Sequence, residues 1–190
     1  MRYFFLRKLI HIISGLLLIW GCLSIQYSIY IVGGLMLLIL LLEIFRYRLI
    51  LWNKIYARLF KPLLTEKEKG SIFTGAVSLW LSIYLIYLLF PKKNFLISAL
   101  IVVLADPMAA MVGKLAKSKK LFQEKTTLGS LTFLLITLLI IWQYSNIPLI
   151  PSIFLAIILC LVELISPAIW ENIFIVTGSA LLMIVFDKLS

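Results

Sequence analysis

Charge is scarce in this 190-residue chain, and acidic charge is scarcest. Only 14% of residues are charged, 8 of them acidic against 18 basic. A soluble domain of this length carries about a quarter charged residues. Here 63% of residues are hydrophobic and the mean hydropathy is +1.12, which excludes a water-soluble globular domain and points to a polytopic membrane protein. Cysteine is nearly absent. Cys22 and Cys160 fall on separate apolar runs with no partnering motif, so neither a disulfide framework nor a metal knuckle is indicated, and ordinary apolar packing is expected of both. No stretch is rich enough in Pro, Ser or Gly to serve as a linker, and no internal repeat is visible, so residues 1–190 read as one integral domain. The opening MRYFFLRKLIHIISGLLLIWGC has the outline of a signal peptide. Its small residues are poorly placed for cleavage, however, and ionisable residues continue into the apolar run, so an uncleaved first span is expected.

A bilayer core of ~30 Å needs roughly 20 apolar helical residues. Seven stretches qualify as spans of an all-α transmembrane bundle: 9–25, 27–45, 71–90, 95–113, 128–144, 148–165 and 168–186. Between the second and third lies LILWNKIYARLFKPLL (49–64). There Lys54, Arg58 and Lys61 share one stripe and Leu51, Ile55, Leu59 and Leu63 another, the pattern of an amphipathic helix lying on the membrane surface. A cytoplasmic N-terminus places 15 of the 18 basic residues inside: Arg2, Arg7 and Lys8, then Arg46, Arg48, Lys54, Arg58, Lys61, Lys67 and Lys69, then Lys114, Lys117, Lys119, Lys120 and Lys125. Lys92, Lys93 and Lys188 remain outside. The net charge of +10 is therefore explained by orientation, with anionic lipid headgroups as partners and no nucleic acid expected.

The few polar residues within the apolar runs converge on the cytoplasmic side. In RKLIHIISG, Arg7, His11 and Gly15 recur on one helix face, and His11 is the only histidine in the chain. Glu43 and Arg46, three apart at the end of the second span, are able to pair, and Glu66 and Glu68 belong to a charged connection. In VVLADPMAAMVGK, Asp106 sits inside an apolar helix, where a carboxylate costs a few kcal/mol. It shares a face with Ala110 and Gly113, small residues that allow close approach, and Pro107 withdraws a backbone donor. Downstream, KTTLGS puts Lys125, Thr126, Thr127, Gly129 and Ser130 at a helix start, where free N–H groups, hydroxyls and a lysine suit a phosphate. Glu163, Glu171 and Asn172 lie at the same level and offer the oxygen ligands a Mg-nucleotide needs.

At these residues the chain resembles the CTP-dependent lipid-alcohol kinases: phytol kinase, dolichol kinase, polyprenol kinases and the CTP-dependent diacylglycerol kinase. RKLIHIISG is similar to the family's R-K-x-x-H-x-x-x-G opening, EIFR to its second block, ADPMAAMVGK to D-x-x-A-x-x-x-G, KTTLGS to K-[ST]-x-E-G, and ELISPAIWEN to the closing E and D-N pair. The chain departs from the pattern at Leu128, where Glu is usual, near Lys117, where a second glycine is usual, at Glu171, where Asp is usual, and at Val176, where proline is usual. The resemblance implies an integral membrane enzyme with a cytoplasm-facing site that transfers a phosphoryl group from CTP to a membrane lipid alcohol, with Mg²⁺ as cofactor, in a bacterial inner membrane or an equivalent endomembrane. Within it, Asp106 would ligate Mg²⁺ or accept the hydroxyl proton, with His11 or Glu43 as reserve base. Arg7, Lys8, Gly113, Lys114, Lys125, Thr126, Thr127 and Gly129 would hold CTP, and Asp106, Glu163, Glu171 and Asn172 the metal. Phosphatidate cytidylyltransferases have a similar Asp and K-[ST]-x-x-G arrangement, but the chain has neither their H-G-G nor their D-R-x-D element. A proton-coupled transporter would spread polar groups through the bilayer depth, whereas here the outer halves of the spans hold almost only Ser and Thr.

Overall fold

The computed structural model describes residues 2–60, 74–116, 118–167 and 170–189. Among these the chain is helical almost throughout. Helices α1 (Arg2–Ser24) and α2 (Ser28–Arg48) form a hairpin turned at Tyr27, whose φ of 59° is left-handed. A short α3 (Ile50–Phe60) precedes α4 (Gly75–Leu89). Then α5 (Lys92–Leu100), a π-helical turn (Ile101–Ala105) and α6 (Asp106–Leu115) run on as one rod. Two antiparallel strands, β1 (Lys120–Phe122) and β2 (Lys125–Thr126), lead into α7 (Thr127–Tyr144), α8 (Leu149–Ile165) and α9 (Glu171–Leu189).

A helix thus occupies each of the seven apolar stretches. Four are long and apolar enough to cross a membrane: α1, α2, the rod Lys92–Leu115 and α7. Helices α4 and α8, with 15 and 17 residues, are apolar but shorter. At 1.5 Å per residue they reach about 23 and 26 Å, less than a ~30 Å hydrocarbon core. Part of the stretch 49–64 is helical, as α3, which bonds to α2 from Trp52 Nε1 to the Leu42 carbonyl (3.2 Å), while Leu51 and Ile55 are exposed. Its remaining part, with Lys61 and Leu63, lies outside the described residues, as do Glu66, Glu68, Lys67, Lys69 and Lys117.

The rod is the axis of the bundle. In its most apolar window 67% of residues are buried, against 22% in α2, and it packs on α1, α4, α7 and α9. Ile97, Ile101, Val102, Val103 and Ala105 are fully enclosed in the core with Phe95, Phe133, Ile141, Leu155 and Ile175. Gly15 lets α1 close on the rod, since a Cβ there would overlap the methyl groups of Val103. At one end of the bundle Ser28 Oγ and Tyr87 OH are 2.6 Å apart, Tyr84 OH donates to the Ile29 carbonyl (2.8 Å), and Lys93 pairs with Asp187 (3.1 Å). The other end gathers the ionisable residues.

Candidate active site

Asp106 owes its setting to the π-helical turn before it. Bonds in a π turn run five residues back rather than four. In that register the carbonyl of Val102 would serve the N–H of residue 107, and residue 107 is proline, which has none. The released carbonyl is taken up by His11, whose Nε2 lies 3.1 Å away. Nε2 must carry the proton for that bond, because a carbonyl only accepts. One turn earlier on α1, Lys8 Nζ donates to Asp106 Oδ2 at 3.0 Å. Lys8, His11 and Gly15 therefore form the face of α1 that meets the rod. The i, i+4, i+8 reading had assigned this face to Arg7, which is half-buried beside it. On α6 the buried companions of Asp106 are Ala109 and Gly113, with Ala110 only half-buried. Both Ala109 and Ala110 are helical neighbours of Asp106, and the crossing with α7 selects the first.

That crossing is close because it is made by glycines. A Cβ on Gly113 would collide with Thr126 Oγ1, and one on Gly129 would lie 3.0 Å from the Ala109 carbonyl. Thr126 caps α7, its Oγ1 accepting from Gly129 N (3.2 Å), so the KTTLGS segment starts the helix by ordinary N-capping. Thr127 is exposed and its N–H donates to the Lys119 carbonyl (2.9 Å), while Leu128 is exposed outside the cluster. The cap places Lys125 at the mouth of the helix, and Lys125 Nζ donates to both Glu163 Oε1 and Glu171 Oε1. Burial disfavours the ammonium, but Glu171, Asp106 and Glu163 outweigh it and hold the Lys125 pKa above the ordinary lysine value.

Asp106, Glu163 and Glu171 each offer a carboxylate oxygen, and these three oxygens lie within 4.8 Å of one another. Like charges at that spacing repel, so the trio needs cations. Among the described residues Lys8 and Lys125 supply two. Glu163 Oε2 is buried with no hydrogen-bond donor among the described residues. A cluster of hard oxygen donors with an unmet buried acceptor fits a divalent cation such as Mg²⁺.

The remaining expected residues stand apart from this trio. Asn172 turns to α4, its Nδ2 donating to the Gly75 carbonyl (3.1 Å) and to Ser78 Oγ (3.0 Å), which ties α9 to α4 beside Glu171. Glu43 Oε1 accepts from Arg46 Nη2 (2.9 Å) and from the N–H of Thr74 (2.9 Å), joining α2 to the start of α4, and Arg46 also lies over the Tyr56 ring of α3. Lys114 is exposed, with Nζ 3.8 Å from the centroid of Phe4 on α1. The contributions of Thr74 and of the Val102 carbonyl were not visible in the sequence, because they belong to backbone atoms. Pro107 alone hinted at the second. No protein-family model, curated protein or solved structure matches this chain.

Proposed function

We propose that this chain is a CTP-dependent lipid-alcohol kinase, an integral membrane phosphotransferase acting on a polyprenol, phytol, dolichol or diacylglycerol type of alcohol. The observation that carries this reading is the meeting of Asp106, Glu163 and Glu171 with Lys8 and Lys125, five ionisable residues drawn from α1, α6, β2, α8 and α9 into one buried cluster. Structural ion pairs need two partners, and an excess of carboxylates enclosed at one end of an apolar bundle is costly unless a ligand uses it. In this reading all seven long helices span, the shorter α4 and α8 by local thinning of the bilayer. The N-terminus and the cluster face the cytoplasm, where nucleotides are, and α3 rests on the anionic headgroups of that leaflet.

Phosphoryl transfer asks mainly for positioning and charge. The alcohol enters sideways from lipid, and its hydroxyl oxygen attacks the γ-phosphorus of CTP. The bond from that phosphorus to the β,γ-bridging oxygen breaks, CDP leaves with the electron pair, and the hydroxyl proton passes to Asp106. Lys8 keeps the Asp106 carboxylate oriented at 3.0 Å. Lys125 neutralises phosphate oxygens, and Arg7, half-buried beside the face of α1 that carries Lys8, adds a further cation. Glu163 and Glu171 with Asp106 would hold Mg²⁺, which when bound supplies charge neutralisation to the transferring phosphate. His11 sets the rod against α1 and stands next to the site. Glu43, held by Arg46 and Thr74, supports the framework.

The deciding experiment is transfer of label from γ-labelled CTP, with ATP in parallel, to phytol, farnesol, undecaprenol, dolichol and diacylglycerol by the purified protein with Mg²⁺. A labelled lipid phosphate from CTP that disappears in Asp106→Asn is the expected result. Release of pyrophosphate from CTP and phosphatidate without lipid labelling would replace the kinase with a cytidylyltransferase.

A further inference from the structure

The β1–β2 ribbon joins the ends of two helices of spanning length, the rod ending at Leu115 and α7 starting at Thr127. It is tied down at its root: Thr127 N donates to the Lys119 carbonyl (2.9 Å) and Leu128 N to Ser118 Oγ (3.3 Å). At about 3.4 Å per residue, a three-residue strand reaches only ~10 Å from that root. The tip therefore stays at the level where the two helices leave the bilayer. All of β1 is exposed, including Leu121 (52%) and Phe122 (48%), flanked by the exposed Lys119 and Lys120. The turn between the strands holds Gln123 at φ 49° and Glu124, whose carboxylate pairs with Lys120 at 3.1 Å in the open. Such an exposed pair contributes little and exchanges readily for another anion. On α7, Leu128, Leu131, Leu135 and Leu139 form an exposed apolar stripe that begins at the ribbon's root.

An adjacent leucine and phenylalanine, both half in the open and preceded by two exposed lysines, suit neither bulk water nor the acyl core. They suit the boundary between headgroups and acyl chains, where apolar groups enter and lysines remain at the phosphates. We propose that the β1–β2 ribbon dips into the membrane, Leu121 and Phe122 inserting at that boundary of an anionic leaflet while Lys119 and Lys120 engage lipid phosphates. The inference requires only that the flanking helices span, and does not rest on the kinase reading.

The test places an environment-sensitive fluorophore at Phe122→Cys, at Leu121→Cys and, as the aqueous control, at Glu124→Cys, in the full chain with Cys22 and Cys160 replaced by alanine, reconstituted in nanodiscs with and without phosphatidylglycerol. The expected result is blue-shifted emission at 121 and 122, quenching by lipids spin-labelled near the headgroup, and several-fold weaker quenching by aqueous iodide than at 124. Removing phosphatidylglycerol, or introducing Lys119→Gln with Lys120→Gln, restores iodide access. Equal iodide access at 122 and 124 in every lipid overturns the proposal. So does protection that appears only with added nucleotide, which would make the ribbon a lid, or only at high protein density, which would make it a contact between copies.

Discussion

The two ends of the helical bundle use the same types of side chain under opposite conditions. At one end Lys93 and Asp187 pair at 3.1 Å with 39% and 32% of their side-chain surface exposed, so water already solvates both charges. At the other, Asp106 and Glu163 are 6% and 3% exposed and their charges are answered by Lys8 and Lys125. An exposed pair contributes about 0–1 kcal/mol, whereas enclosed charges cost more to desolvate than a neutral filling would. The buried cluster is therefore poor evidence for stability, and Glu163 Oε2 within it is left without a donor among the described residues.

The comparison is broken most severely by removing a carboxylate from the enclosed end. Asp106→Asn is expected to lower lipid phosphorylation by about a hundredfold or more, the scale seen when a preorganised electrostatic group is lost, while a melt in detergent shows the protein still folded. Next comes the Glu43–Arg46 pair, which is buried at the same end but lies outside the carboxylate trio. Glu43→Ala breaks the pair and removes the acceptor of the Thr74 N–H, with an expected cost of about 3–5 kcal/mol of stability, and Glu43→Leu combined with Arg46→Met recovers part of it. Chemical denaturation in micelles measures both, and a double variant as unstable as the single one would contradict the pairing. Gly129→Ala inserts a methyl group against the Ala109 carbonyl at 3.0 Å. About 1–3 kcal/mol of destabilisation is expected from that overpacking, read as a lower melting temperature. At the exposed end, Asp187→Asn shifts stability by less than about 1 kcal/mol and leaves activity unchanged.

The smallest expected effect is that of alkaline pH on Lys125. Its folded pKa is raised above the unfolded value near 10.4. The stability that its carboxylate partners provide is thus complete below about pH 10.4 and fades only as pH climbs through the folded value. No inflection assignable to Lys125 is expected in an activity profile between pH 7 and 9, and one appearing there would mean that the carboxylates do not surround it.

Much of the fold was legible because apolar runs of about twenty residues have few alternatives to helix. Asp106 was legible as a residue in need of a charged partner because an aspartate followed by proline inside such a run is chemically expensive. Lys125, Glu163 and Glu171 were legible only as a pattern along the chain. The partners were harder to read. Lys8 and Arg7 are adjacent, and helical periodicity favoured Arg7 as the companion of His11, yet Lys8 meets the carboxylate because Gly15 and Val103 fix the rotation of α1 on the rod. Asn172 matched a metal ligand by residue type, but α4 offers its amide a carbonyl and a hydroxyl.

The sequence by itself determined that the chain is a set of apolar helices and that its rare carboxylates and many lysines fall near helix ends, but it marked seven stretches as spans where four helices have the length and apolarity to cross. These follow from residue types and local spacing, where each residue's preference is nearly independent of distant ones. Only the tertiary structure decided which of those charges touch. A π turn at Ile101–Ala105 changes the rod's rotation, a proline releases one carbonyl for His11, and glycines at two crossings set how closely α1 and α7 approach. Pairing of charges depends on ångström-scale distances between segments far apart in the chain, and those distances are set by packing.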